Sequence, residues 1–333
     1  MMKSWSLLIC AAITAVCQPG FAAEGIALHG ETVVRFASVE QGRELLLRHD
    51  EFTQSLSRFD LECRLNTNEE VTADDLLKFM ASHVIEWTPE DRQRLSPVVT
   101  TVGEKLRELK LPLPPIVWLV KTTGDEEANA AYCRGPAIVL PKSMAENPRG
   151  LERLFAHELF HVLSNSNPEL RNRLYELIGF HACEPIELPA SLRDRKLTNP
   201  DAPTLDHYMT LRIDDKPVDA IPILFASVER YDPNKPGSLF RFLTFRLLAL
   251  AREDGTLRVL ENEQGPVLYE PISRKDNETV RLDSFFEQVG ENTRYIIHPE
   301  EILADNFALM VLGTADLKSP HIVDQLRMAL SMP

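Results

Sequence analysis

The chain has 333 residues, 44% of them hydrophobic, enough to bury a sizeable core as one large domain or two smaller ones. Its net charge of −14 repels phosphate backbones and anionic lipid, which sets nucleic acid aside as a partner. Beyond the N-terminus no run approaches the roughly 18 to 20 apolar residues that span a bilayer, so no integral membrane span is expected.

Residues 1–23 have the layout of an export signal. Lys3 supplies the positive end, Leu7 to Val16 the apolar stretch, and Ala22 and Ala23 the small residues before a cleavage point near Glu24. The expectation is a periplasmic or extracellular protein. A lipid anchor through Cys17 is disfavoured, because Val16 stands where a small residue is wanted. Cys10 and Cys17 leave with the signal, so Cys63, Cys133 and Cys183 remain, an odd number in a compartment that permits disulfides. None of the three has the paired spacing of a structural zinc site, and buried free thiols are the expected state.

The remainder reads as an α+β protein in four segments. Residues 24–111 read as helices with short connections. Thr72 caps one with Leu76, Met80 and Val84 on its apolar face, and Thr88-Pro89-Glu90-Asp91 starts another. The run Leu111-Pro112-Leu113-Pro114-Pro115 reads as a boundary. Residues 112–184 then hold a strand at Ile116 to Val120, an edge strand at Ala131 to Leu140 interrupted by Gly135-Pro136, and a helix beginning after Gly150. In residues 185–290 short β-branched and aromatic runs alternate with turns such as Asp214-Asp215-Lys216-Pro217, which predicts a β-rich insertion; Leu239 to Leu250 fits helix or strand. Residues 291–333 return to helix at Pro299, with a last helix from Ser319-Pro320.

The chemistry concentrates in His157-Glu158-Leu159-Phe160-His161. On a helix the two histidines lie one turn apart on one face, so their imidazoles can converge on one ion. Glu158 sits beside them, placed to take a proton from a zinc-activated water and deliver it to a leaving amine.

A third ligand decides the subclass. Asn167 stands where a metzincin has histidine and Ser164 where it has glycine, which excludes that group. His181 lies 20 positions past His161, with no helical partner after it. Gly313-Thr314-Ala315-Asp316 begins like an aspzincin motif but continues with Ser319-Pro320, and reads better as a helix end. In His298-Pro299-Glu300-Glu301-Ile302-Leu303-Ala304-Asp305, by contrast, Glu301 and Asp305 share a helix face. One can reach the metal while the other holds the free nitrogen of a ligating imidazole. The competing reading is an exposed acidic helix start, since Glu300 and Glu301 suit the positive end of a helix.

On these residues the chain resembles the gluzincin clan of metallopeptidases, and over most of its length a group of bacterial exported proteins carrying Tyr295-Ile296-Ile297-His298-Pro299-Glu300-Glu301-Ile302-Leu303-Ala304-Asp305-Asn306-Phe307-Ala308. The resemblance implies a zincin-like core, Zn2+ on His157, His161 and Glu301, Glu158 as general base, Asp305 behind a ligand, and a peptide or protein substrate. The 140 positions between His161 and Glu301 exceed the usual gluzincin gap, so the β-rich insertion must fold between the two metal helices. Tyr295, His298, His207 or Tyr208 could donate to the oxyanion, with Tyr295 the first choice. The expected function is a secreted zinc metalloendopeptidase; the alternative is a non-catalytic envelope scaffold or partner-binding protein on the same fold.

Overall fold

The computed structural model describes residues 25–235, 237–275 and 278–331, so the export signal expected at 1–23 lies outside the described residues. The fold is mixed α and β, and its first sheet begins where helix was expected. Ile26–His29 (β1) and Thr32–Phe36 (β2) form an antiparallel hairpin turning at Gly30, which takes a φ of 54°. Leu28, Thr32 and Val34 are buried while Ala27 is exposed and Val33 half-buried, a period-two pattern of a half-buried hairpin. Region 24–111 is therefore not wholly helical.

Ile116–Thr122 (β3) pairs parallel to β2, and the amide of Val33 donates to the carbonyl of Pro115 at 3.0 Å, so strands from both sides of the proline run belong to one sheet. The strand expected at Ala131 to Leu140 is two. Tyr132–Arg134 (β4) and Ala137–Pro141 (β5) fold back on each other at Gly135, whose φ is also 54°. β5 lies parallel to β3, and β4 is the outer strand of the order β1-β2-β3-β5-β4.

Both faces of this sheet are covered. Val117, Leu119, Ile138 and Leu140 face the helices Pro89–Lys105 and Leu151–Ser166; Val120, Ala137 and Val139 face Leu45, Leu46, Leu76 and Met80 of Val39–Leu46 and Ala73–Ser82. Thr72 and Thr88 cap their helices as expected, each reciprocated by an aspartate three residues on. At Gly103 the helix backbone presses on β1 so closely that a Cβ would fall 2.5 Å from the Leu28 carbonyl oxygen.

The second sheet is an antiparallel meander of Phe180–Ala182 (β6), His207–Ile213 (β7), Lys216–Ala226 (β8), Leu243–Glu253 (β9) and Thr256–Val259 (β10), with the short strand Leu268–Tyr269 also paired to β9. The ambiguous stretch at Leu239 resolves into one helical turn, Leu239–Phe242, followed by β9. Between β6 and β7 the chain runs back to the first half of the molecule. There Thr198 donates its amide and hydroxyl to Asp60, and its carbonyl accepts from Arg64.

Helix Pro299–Leu312 is buried from Pro299 to Val311, because Ile302, Leu303, Ala304, Phe307, Ala308 and Met310 make it apolar all round. It packs on helix Leu151–Ser166, Phe307 against Phe160 with ring centroids 5.6 Å apart, and Pro320–Ser331 closes over it. Among the described residues no helix is long and apolar enough to cross a membrane, and Cys63, Cys133 and Cys183 are free thiols.

Arg64 ties these parts together. Its buried guanidinium donates to Glu127 at 2.8 and 2.7 Å and to Asp60 at 2.6 Å, as well as to Thr198. Arg64→Ala would leave two buried carboxylates without their counter-charge, and should cost about 3–5 kcal/mol. Urea unfolding measures this; a loss within about 0.5 kcal/mol, as for an ordinary surface substitution, would show that the network does not hold the fold.

Candidate metal centre

Helix Leu151–Ser166 owes its position to Phe155, Leu159, Phe160, Val162 and Leu163, all buried in the main core, which turns His157 and His161 toward helix Pro299–Leu312 and Glu158 toward β4, where its Oε2 accepts from Cys133 Sγ at 3.5 Å. That second helix is fixed at its start by His298, whose Nδ1 accepts from the amide of Glu300 at 3.1 Å, and at its end by Gly313 at a φ of 66°. Being internal, it carries its carboxylates inward. Glu300 and Glu301 are 0% and 1% exposed, which excludes the solvated acidic helix start.

Glu301 lies between the two histidines. Its Oε2 is 3.2 Å from His157 Nε2 and 3.6 Å from His161 Nε2, and its Oε1 accepts from Asn199 Nδ2. Each imidazole is held from behind by a different carboxylate, Asp305 Oδ1 at 3.2 Å from His157 Nδ1 and Glu300 Oε1 at 2.9 Å from His161 Nδ1. Glu300 is anchored in turn, accepting from the hydroxyls of Ser164 (2.6 Å) and Tyr175 on its Oε2, while Asp305 accepts from Thr293 and Arg153.

The donor atoms of His157, His161 and Glu301 lie within 4.8 Å of one another. A tetrahedral ion with bonds of about 2.0–2.1 Å has donor–donor edges of roughly 3.3–3.4 Å, so the 3.2 and 3.6 Å separations fit one ion between them. The charges fit as well. Glu158, Asp201, Glu300, Glu301 and Asp305 crowd two imidazoles in a dry interior, an excess of acid that a divalent cation balances.

Burial opposes a charge on His157, but its hydrogen bonds to Asp305 and Glu301 outweigh that and raise its pKa to about 9. His161 is likewise raised well above the ordinary value; burial again opposes, and Asp201, Glu301 and Glu300 prevail. Burial would raise Glu301, yet the two imidazoles and Asn199 bring it down to about 2. Glu158, 3% exposed, is shifted upward by burial despite those imidazoles, and so is Asp201. A carboxylate of raised pKa takes up a proton more readily than a free one.

Of the oxyanion candidates, Tyr295 is next to the site. It stacks on His157 with centroids 6.3 Å apart and 19° between planes, is 40% exposed, and keeps its proton because burial of part of the ring and the surrounding carboxylates raise its pKa. His298 caps its helix, lowered to about 3 by burial and by His207, and is neutral. His207 is engaged through both nitrogens, to Asp206 and Asn172. Tyr208 pairs with His181 on the second sheet, and His181 is exposed there, outside the cluster of ligand atoms. Gly313 ends its helix and Asp316 lies exposed beyond it.

Sequence reasoning missed Glu300, Asn199 and Asp201. Ser164 carried a signal: a small hydroxyl one turn beyond Glu158's neighbour His161 marks room for a second carboxylate. Asn199 and Asp201 come from the segment between β6 and β7 and carry no local pattern. Comparison with protein-family models, curated proteins and solved structures finds no match to this chain.

Glu300→Gln puts an amide nitrogen or a single oxygen where Ser164, Tyr175 and His161 all donate, and should weaken metal binding about 10–100-fold in chelator competition. Unchanged affinity would show that Glu300 does not orient His161. A cation needs neutral imidazoles, so it must displace the proton that His157 holds below about pH 9. Affinity should rise with pH toward that value, with proton release visible by calorimetry in buffers of different ionisation heat. A flat profile over that range would contradict the assignment.

Proposed function

We propose that the chain is a secreted zinc metalloendopeptidase of the gluzincin type, with a zincin-like core formed by the first sheet and the two metal helices. The observation that carries this reading is the convergence of His157, His161 and Glu301 beside Glu158, with Asp305 and Glu300 behind the two imidazoles. The donor set of two imidazoles and one carboxylate suits zinc among the divalent ions.

His157 and His161 would hold the metal through Nε2, the nitrogens left free by the carboxylates on Nδ1, and Glu301 through its carboxylate. Zinc bound there supplies Lewis acidity, polarising the scissile carbonyl and acidifying water. Glu158 would take the water's proton onto its carboxylate and return it to the departing amine. Tyr295, a neutral phenol at the rim, donates to the oxyanion as negative charge develops there.

One observation favours the second reading, a non-catalytic envelope scaffold with a structural metal: His161 and Glu301 are each only 1% exposed. Glu158 separates the two, since a structural site has no use for a buried base. Glu158→Gln should keep stoichiometric zinc and lose casein hydrolysis by at least about a hundredfold, the size of a general-base contribution. Full turnover in that variant rejects the peptidase mechanism, and zinc without cleavage of a mixed peptide library by the wild type favours the scaffold.

A further inference from the structure

The burial of the candidate centre has a specific cause. The carbonyls and amides on one side of β4 are spent on β5, and Cys133, the middle residue of β4, directs its amide to the outside of the sheet. That amide is where an extended peptide adding to the sheet edge would pair. It is taken instead by Asp201, whose Oδ1 accepts from it at 2.7 Å. Two residues earlier, Asn199 donates to the Glu301 carboxylate. Asn199–Ala202 is a tight turn, closed by Ala202 N to Asn199 O at 3.2 Å and by Asp201 N to Asn199 Oδ1 at 3.1 Å. One turn thus engages both the strand edge and the ligand helix.

We propose that the Asn199–Ala202 turn is an intramolecular occupant of the substrate cleft, with the Asp201 carboxylate standing on Cys133 where a peptide carbonyl would bind. The inference rests on the peptidase reading of the site.

Two further features fit it. With the turn in place, the space between it and Tyr295, lined also by Ala131, Phe240 and Ile297, is a cavity of about 50 Å³, room for a few waters and no amino-acid residue. Next to the turn in sequence, Pro203, Thr204 and Leu205 line a surface hollow of about 690 Å³. Its base is fixed: Leu197 donates to the Leu224 carbonyl, and Thr198 is bound by Asp60 and Arg64. The moving part is short, between Thr198 and the hollow, and release exposes the β4 edge and Glu301 together without disturbing the sheets.

The test uses the full mature chain loaded with zinc, and compares wild type with Asn199→Ala, Asp201→Ala and the double variant. The Cys133 amide, which Asp201 holds, reports the opening by its rate of deuterium labelling, assigned by peptide mapping. Losing hydrogen bonds that hold a local closed state should speed Cys133 labelling roughly tenfold, and peptide turnover should rise with it. Thermal unfolding run alongside checks that labelling outpaces any global loss of stability. Labelling at the wild-type rate in the double variant overturns the inference. Faster labelling with no turnover in any form upholds the occupant and rejects the peptidase reading instead. A purely structural turn would give lower stability and lower turnover, with labelling following global unfolding, and that pattern also overturns it.

Discussion

Everything at the centre depends on burying helix Pro299–Leu312. An acidic segment at a helix start ordinarily faces water, where its carboxylates are solvated and do little. Here the apolar residues from Ile302 to Met310 draw the helix inside, and Glu300, Glu301 and Asp305 are carried with it against His157 and His161. The desolvation is costly, and it is offset by hydrogen bonds: every one of the three carboxylates has partners, and each imidazole is gripped on its Nδ1. The same contacts that make the burial tolerable point both Nε2 atoms at Glu301.

Local dielectric then sets the chemistry. Glu301 and Asp305, facing imidazoles, are held near pKa 2, whereas Glu158 and Asp201 are driven upward because burial dominates for them. Carboxyl groups in one cluster are thus sorted into those the imidazoles hold as anions and those whose pKa burial raises. The first sheet supplies the rigidity. Helix Leu151–Ser166 lies on a sheet buried on both faces, so its histidines are held by core packing.

Much of this was legible in sequence. The HELFH helix, the Thr72 and Thr88 caps, the helix start at Pro299 and its stop at Gly313 follow from local pattern, and local pattern is what one chain displays. The β1–β2 hairpin was readable from Ile26, Leu28, Val34 and Phe36 around Gly30, and was obscured by the helical texture that follows. The pairing of β2 with β3 across the intervening helices, the hairpin hidden in Ala131 to Leu140 and the return of Asn199 and Asp201 to the first sheet are decided by long-range packing, which leaves no periodicity behind. Glu300 was visible as an acid at a helix start; only its complete burial separates an orienting carboxylate from a solvated one.

The central claim is that His157, His161 and Glu301 hold one zinc ion, and metal analysis of the purified protein tests it most directly. The claim predicts about one zinc per wild-type chain, lost on dialysis from both His161→Ala and Glu301→Ala. Stoichiometric zinc retained in Glu301→Ala, with the fold intact, would contradict it.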